Sequence, residues 1–135
     1  MVKKDKSLIK EFVRISKYFG QRFDLIQAAG GNSSIKDGHK MYIKSSGYSL
    51  AEVSEKNGYS LLDNRKLMDF LRINKDVKIT SKIEKSSFNT LRKSIISGNA
   101  PSIETFTHSM LKKYTIHFHP VSVNVISTST KSRRI

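Results

Sequence analysis

Two histidines separated by a single residue are the sharpest chemical signal in this sequence of 135 residues. His117 and His119 fall in the segment 114–119, whose alternating character is typical of a β-strand. Side chains at i and i+2 of a strand point to the same face, about 6–7 Å apart, and two imidazoles in that geometry can bind one metal ion, usually zinc. The alternative is a pair of histidines on a polar strand surface. The spacing alone favours that alternative, because a catalytic zinc site typically has three protein ligands.

A second candidate, the carboxylate of Glu104, lies a short distance before the histidines in the sequence. Glu104 follows Pro101 and Ser102, which form a typical helix start. Negative charge is stabilised there by the helix dipole, and this structural role suffices to explain the residue in isolation. Near a bound cation, however, the same carboxylate could move a proton as a general base. His108 lies one turn further on, and we expect it to pack or to orient a neighbour rather than to bind metal.

Two short runs of small polar residues could hold an anion. They cover residues 30–34, which read Gly-Gly-Asn-Ser-Ser, and residues 45–47, which read Ser-Ser-Gly. Backbone N–H groups and hydroxyls in such turns can cradle a phosphate without a full positive charge. Neither run matches a P-loop or a dinucleotide-binding fingerprint. Each is, by itself, also typical of an ordinary turn.

The elements that must position these residues can be predicted from periodicity and turn signals. We predict a helix over 8–20, a hairpin of strands 35–36 and 41–44, short helices around 67–71 and 88–99, an exposed lysine-rich connection over 75–85, and a strand over 114–119. A further helix should start at Pro101, with an apolar stripe formed by Ile103, Phe106, Met110 and Leu111. Residues 121–126 could form a strand or a helix, and their β-branched content favours a strand. This order predicts one mixed α/β domain over residues 1–135, built around an antiparallel sheet.

Composition excludes several classes of protein. The chain has no cysteine, which excludes disulfides, cysteine-ligated zinc and thiol catalysis. No apolar run approaches the roughly 20 residues that span a bilayer, and no signal-like segment follows the basic start, so we expect a cytoplasmic protein without membrane contact. The net charge of +14 could serve a nucleic acid, but 18 of the 25 basic residues are lysines and they are spread along the chain. We therefore expect a lysine-rich surface rather than a nucleic-acid module.

Taken together, four stretches resemble the class II aldolase/adducin family. They occur in the family's order and cover residues 30–34, residues 42–47, residues 101–104 with His108, and residues 117–120. The sequence around these stretches is most similar to the aldolase part of longer proteins that also carry a dehydrogenase domain. The resemblance implies a three-layer α/β/α domain with a mostly antiparallel central sheet, assembled as a homo-oligomer, usually a tetramer.

The resemblance also implies a reaction and the residues that carry it. The reaction would be zinc-dependent aldol cleavage of a small sugar phosphate, of the ketose 1-phosphate type. His117 and His119 would bind zinc and Glu104 would transfer the proton. The phosphate would contact four small polar residues, namely Asn32, Ser46, Gly47 and Ser102. At Ile103 some relatives have a second serine, so that phosphate contact has no counterpart here.

The third zinc histidine of the family has no counterpart in this sequence. It lies well downstream of the histidine pair in relatives, whereas this sequence continues for 16 residues beyond His119 without another histidine, and residues 130–135 lose the family's pattern. His39, next to the predicted hairpin turn, is a poor substitute. We therefore expect a truncated domain that lacks its C-terminal part, binds zinc weakly through His117 and His119, and has little or no turnover. The alternatives are a non-catalytic, adducin-like interaction module and an inactive fragment.

Overall fold

The architecture is described from a computed structural model, which describes residues 3–129. The pattern change at residues 130–135 therefore lies outside the described residues. Five helices, five strands and one short 3₁₀ turn follow one another along this part of the chain: α1 (Lys3–Gly20), β1 (Asn32–Asp37), β2 (Lys40–Lys44), the 3₁₀ turn (Leu50–Glu52), β3 (Tyr59–Asp63), α2 (Asn64–Ile73), α3 (Ser81–Ser94), β4 (Ile95–Gly98), α4 (Thr105–Met110), β5 (Tyr114–His117) and α5 (Val121–Thr128). Among these helices, none combines the length and apolar character that crossing a bilayer requires.

The strands form one sheet in the order β4-β3-β2-β1-β5, and every neighbouring pair is antiparallel. The predicted hairpin is present as β1 and β2, whose turn contains Gly38 at a φ of +59°. Such a backbone angle is readily adopted by glycine, which explains the position of the turn. The mixed α/β class with an antiparallel sheet is thus confirmed.

Apolar side chains cover both faces of the sheet, which makes the domain three-layered. Alternation along β2 sends Tyr42 to one face and its neighbours Met41 and Ile43 to the other. On the first face, α1 packs through Leu8, Ile9 and Phe12 against Ile35, Tyr42 and Val53. On the second face, Leu67 of α2 and Leu91 of α3 pack on Met41, Ile43 and Leu62. The sheet is therefore held between α1 and the α2–α3 pair.

The region between residues 50 and 99 differs most from the sequence prediction. Strand β3 was not predicted, and the helix expected to run to about residue 99 ends at Ser94. Ile95 begins β4, which pairs with β3, since β-branched side chains suit a sheet edge better than a helix end. The lysine-rich connection is exposed as predicted, but α3 already begins inside it at Ser81, where Thr80 caps the helix by accepting a hydrogen bond from the Ile83 N–H.

The structure also differs from the prediction at the helix expected from Pro101 and at residues 121–126, where the strand was favoured over the helix. The helix expected from Pro101 begins only at Thr105, and its predicted apolar stripe is largely exposed, with Ile103, Met110 and Leu111 each about half accessible. Polar residues, Thr105, His108 and Ser109, are buried instead, because the facing part of β1 is itself polar. Residues Val121–Thr128 form α5 rather than a strand. The N–H of Asn124 bonds to the Pro120 carbonyl, and proline is well tolerated just before a helix.

Candidate metal centre

The two histidines lie at the end of β5. In the antiparallel pairing of β1 with β5, His117 stands directly opposite Asn32. The strand was predicted to run to residue 119 but ends at His117, and the His119 N–H bonds at 2.9 Å to the Leu25 carbonyl instead of to β1. The two imidazole rings are nevertheless neighbours, with centroids 4.7 Å apart. The two rings therefore lie side by side, as their spacing predicts, although His119 is outside the strand.

Glu104 lies close to both histidines. It is the residue that precedes the first turn of α4, and its Oε1 lies 3.4 Å from Nδ1 of His117. One ligand atom from each of Glu104, His117 and His119 lies within 4.8 Å of the other two. The side chains of Glu104 and His117 are 39% and 43% exposed, so the cluster is open to solvent. One carboxylate and two imidazoles are a donor set that suits zinc and other divalent first-row metals.

Asn32 fixes the position of the Glu104 carboxylate by a hydrogen bond. This buried side chain donates from Nδ2 to Glu104 Oε2 at 2.9 Å and to Ser102 Oγ at 3.0 Å, while its Oδ1 accepts from the Ser33 N–H. Burial alone would raise the pKa of Glu104, but the hydrogen bond from Asn32 and the nearby His117 outweigh it, so the pKa is lowered. The glutamate is therefore ionised at neutral pH. The contact of Asn32 with phosphate stays a prediction, since its amide is already engaged with the protein.

A cavity of about 400 Å³ opens beside the cluster, bounded by Glu104 and His119. The rest of its lining is mostly small, and we call it the serine–glycine cavity: Ala29, Gly30, Gly31, Ser46, Gly47 and Ser102, with Lys44 and Ile103. The two serines and Gly47 are thus brought together as predicted, although their role with phosphate is untested. A side chain does not fit at Gly30, because a Cβ there would lie 2.9 Å from the Gln27 carbonyl oxygen and 3.3 Å from Nδ1 of His119.

Lys44 is a site residue that sequence reasoning missed. It ends β2, is only 5% exposed and still contributes to the serine–glycine cavity. Its ammonium donates to the Tyr48 carbonyl at 2.7 Å. Burial lowers the pKa of Lys44, and the charge of Glu104 acts in the opposite direction. Its place directly before the Ser-Ser-Gly turn was a usable signal, because the side chain of a strand's last residue can reach into the following turn.

His108 lies outside the metal cluster, as expected for a packing residue. It is buried, and its Nδ1 lies 2.8 Å from Ser34 Oγ, so it ties α4 to β1. Lys36, two positions further along β1, donates to the His108 carbonyl. Burial, with the charge of Lys36, lowers the pKa of His108 to about 4, so the ring is neutral at pH 7. His39 lies in the β1–β2 turn and lines a different cavity.

Comparison with known proteins gives one match. The family model of the class II aldolase and adducin N-terminal domain matches residues 10–135 of the chain. Neither the curated proteins nor the solved structures include one that matches.

Proposed function

The chain belongs to the class II aldolase and adducin N-terminal domain family, and on that premise we propose that it is a zinc-binding, aldolase-like domain acting on a sugar phosphate of the ketose 1-phosphate type. The observation that carries the proposal is the convergence of Glu104, His117 and His119, from α4 and the end of β5, on one point. Family membership supports this class of reaction, and the reaction itself, the metal, the substrate and the residue roles are our proposal.

The metal would be held by His117 and His119, with Glu104 as the nearest further donor. Glu104 would thus offer a carboxylate oxygen at the position of the third ligand, for which the sequence has no further histidine. When bound, a divalent cation would act as a Lewis acid that polarises the substrate carbonyl. Three donors that are partly exposed, one of them also hydrogen-bonded to Asn32, support weak rather than tight binding.

Glu104 would transfer the proton of the reaction. Aldol cleavage breaks a carbon–carbon bond: one hydroxyl loses its proton as the aldehyde forms, and the carbon adjacent to the ketone takes up a proton. We assign the second transfer to Glu104, which would remove the same proton in the reverse direction. An ionised carboxylate is the form that this removal requires, and the lowered pKa of Glu104 provides it. Asn32 would fix the direction of the carboxylate through Oε2.

The phosphate would lie in the serine–glycine cavity. Ser46, Gly47 and Ser102 offer hydroxyls and a backbone N–H there, and Gly47 has a φ of +81°, which turns the chain tightly at the cavity. Lys44 would add the positive charge that the sequence analysis did not assign. A phosphate oxygen could accept from its ammonium in place of one of the weaker carbonyl contacts to Ala29 or Ser45, both at 3.4 Å.

Titration with zinc tests the proposal. We expect the purified chain to bind one zinc ion in the micromolar range or more weakly, measured by isothermal titration calorimetry, and to cleave a ketose 1-phosphate slowly. The absence of any zinc binding would contradict the metal centre. Sub-micromolar affinity with ready cleavage would contradict our expectation that two histidines and one glutamate give only a weak site.

Replacement of Lys44 by methionine tests the phosphate site. Methionine keeps an unbranched side chain in the buried position but removes the charge, and a hydrogen bond to a charged group contributes about 1.5–3 kcal/mol. We therefore expect inorganic phosphate to bind about 10-fold more weakly or worse, as measured by amide shifts of Ser46 and Gly47 in NMR spectra. Lys40→Met, in the same strand at its opposite end, is the control and should bind phosphate normally. Equal affinity in the Lys44 variant and the wild type would remove Lys44 from the site.

We also propose that the chain assembles as a homo-oligomer, as the family suggests in general. Four apolar side chains of α5 are exposed around the helix, and they support this because exposed apolar surface often marks a contact with another protein: Val121, Val123, Val125 and Ile126. Should the assembly form without zinc binding or cleavage, the adducin-like interaction module would be the better description.

A further inference from the structure

The outer side of the α2–α3 pair carries a groove that the proposed function does not use. The two helices pack on the sheet through Leu67 and Leu91, and their other sides face solvent. Between them lies a groove of about 340 Å³, which we call the α2–α3 groove. Its lining consists of four residues of α2 and two of α3: Lys66, Asp69, Phe70, Ile73, Thr90 and Lys93.

The groove is charged at one end and apolar at the other. Lys66 and Lys93 lie together at the charged end, where the Lys66 ammonium donates to the Lys93 carbonyl at 2.7 Å. Ile73, which is 77% exposed, forms the apolar end. It lies seven residues further along α2, about 10 Å away at a rise of about 1.5 Å per residue. Phe70 lies between the two ends and packs on Phe106, with ring centroids 5.5 Å apart.

The two lysines of the groove are not neutralised within the protein. Among the described residues, no carboxylate forms an ion pair with either ammonium, and Asp69 pairs with Arg72 at 3.5 Å. Lys66 also keeps two N–H donors after its bond to the Lys93 carbonyl. Residues 64–94 contain nine basic and three acidic residues, and so contribute +6 to the net charge of +14. The charge of this surface is therefore complementary to an acidic partner.

An acidic amphipathic helix has the matching spacing. Side chains at i and i+7 of a helix lie on one face and two turns apart, which is also the spacing from Lys66 to Ile73. An apolar side chain at one of these positions would contact Phe70 and Ile73, while a carboxylate at the other would reach Lys66 and Lys93. Grooves that take amphipathic helices commonly bind them through anchors at this spacing.

Three other occupants match the groove less well. A second copy of the chain would bring two basic surfaces together, which is electrostatically unfavourable. A nucleic acid would supply phosphates for the lysines but no aliphatic group for Ile73. A membrane surface would require apolar side chains that project into the lipid, whereas Phe70 lies in a concave lining and packs on Phe106.

We propose that the α2–α3 groove binds an acidic amphipathic helix of a partner protein, through one apolar side chain and one carboxylate two turns apart. The partner is defined by this chemistry alone. The interaction involves none of the residues of the metal centre or the serine–glycine cavity, so it does not depend on the proposed function.

Fluorescence anisotropy with a labelled synthetic peptide tests the proposal on the full chain. The probe is an alanine- and glutamine-based helix of about 18 residues, above the roughly 12–15 at which isolated helices are marginal. It carries one leucine and, seven positions later, one glutamate. The control peptide has these two residues nine positions apart, on opposite faces of the helix. We expect saturable binding of the probe and about 5-fold weaker binding of the control. Equal affinities would overturn the proposal.

Replacing Ile73 with serine tests the apolar end. The change should weaken probe binding about 10-fold, in keeping with the burial of one aliphatic side chain. Phe23→Ser is the matched control, because Phe23 is also 77% exposed but does not line the groove, and it should bind within a factor of about two of the wild type. A loss of equal size in the two variants, or no loss in Ile73→Ser, would overturn the proposal.

Replacing Lys93 with glutamate tests the charged end. The wild type should prefer the probe about 5-fold over a peptide with glutamine in place of glutamate, and Lys93→Glu should abolish that preference. Unchanged binding of the glutamine peptide would show that the variant keeps its fold. Lys82→Glu, which changes an exposed lysine of α3 outside the groove, should keep the preference. Persistence of the preference in Lys93→Glu would overturn the proposal.

Vesicles and DNA test the other partners. Vesicles of phosphatidylserine and phosphatidylcholine, and a short duplex DNA, are titrated separately with the wild type and with Ile73→Ser. We expect any binding to depend on charge alone, to fall with salt and to be equal in the two proteins. Vesicle or DNA binding that Ile73→Ser abolishes, without binding of the peptide, would overturn the proposal in favour of that partner.

Discussion

Replacing His119 with alanine should weaken zinc binding by about 100-fold or more. Residues that merely support a metal ligand are worth about 10–100-fold in affinity, so removal of a direct ligand should cost at least the upper end of that range. His119 is partly exposed and its backbone N–H, not its ring, bonds to Leu25, so the fold should survive the change. Isothermal titration calorimetry with zinc measures the loss directly.

His39→Ala is the matched control for that experiment. His39 is an exposed histidine in the β1–β2 turn, outside the cluster, and its removal should leave zinc affinity within a factor of two or so, in keeping with an exposed surface substitution. Zinc binding that falls equally in both variants would indicate adventitious binding by surface histidines. Binding that survives the loss of His119 would exclude the proposed centre.

Replacing Glu104 with glutamine should slow proton exchange at the substrate carbon by about 10²–10⁴-fold, the usual contribution of general acid–base catalysis. Glutamine has the shape of glutamate but cannot accept the proton. The measurement is the exchange of the carbon-bound hydrogen of dihydroxyacetone phosphate with deuterated water in the presence of zinc, followed by NMR. This half-reaction needs no aldehyde, so it remains measurable where full cleavage is slow.

Glu55→Gln provides the comparison, because Glu55 is an exposed carboxylate outside the serine–glycine cavity. It should exchange at the wild-type rate. If the Glu104 variant also keeps that rate, the carboxylate is not the proton-transfer residue. If the wild type shows no exchange above buffer with zinc, the aldolase-like proposal itself fails.

The closeness of the candidate ligands was more predictable from the sequence than the elements that position them. The spacing of His117 and His119 requires only that the chain be extended there, and the hairpin follows from the turn signal around Gly38. The proximity of Glu104 to the two histidines could not be predicted in this way, because it depends on the packing of α4 against β1. It entered the prediction through the family resemblance and not through local pattern.

The errors have a common physical cause, which is that tertiary packing overrode local preference. The stripe predicted from Ile103, Met110 and Leu111 assumed that an apolar side of α4 faces the sheet, but β1 presents Asn32 and Ser34 there and selects polar partners. The β-branched segment after Pro120 forms a helix although its composition favours a strand. The place of Lys44 before the Ser-Ser-Gly turn was a local signal, but its burial near Glu104 depends on contacts far apart in the sequence.

The pairing of β1 with β5 also determines when the centre can form. Asn32 and His117 are partners in that pairing although they are 85 positions apart, from 32 to 117. Closing so long a loop is entropically costly and slow compared with the formation of the β1–β2 hairpin. During synthesis, the ribosome must release nearly all of the described chain before the three donors can meet. In the proposed centre, metal capture would then report that β5 has docked, since both imidazoles lie at or beyond the end of that strand.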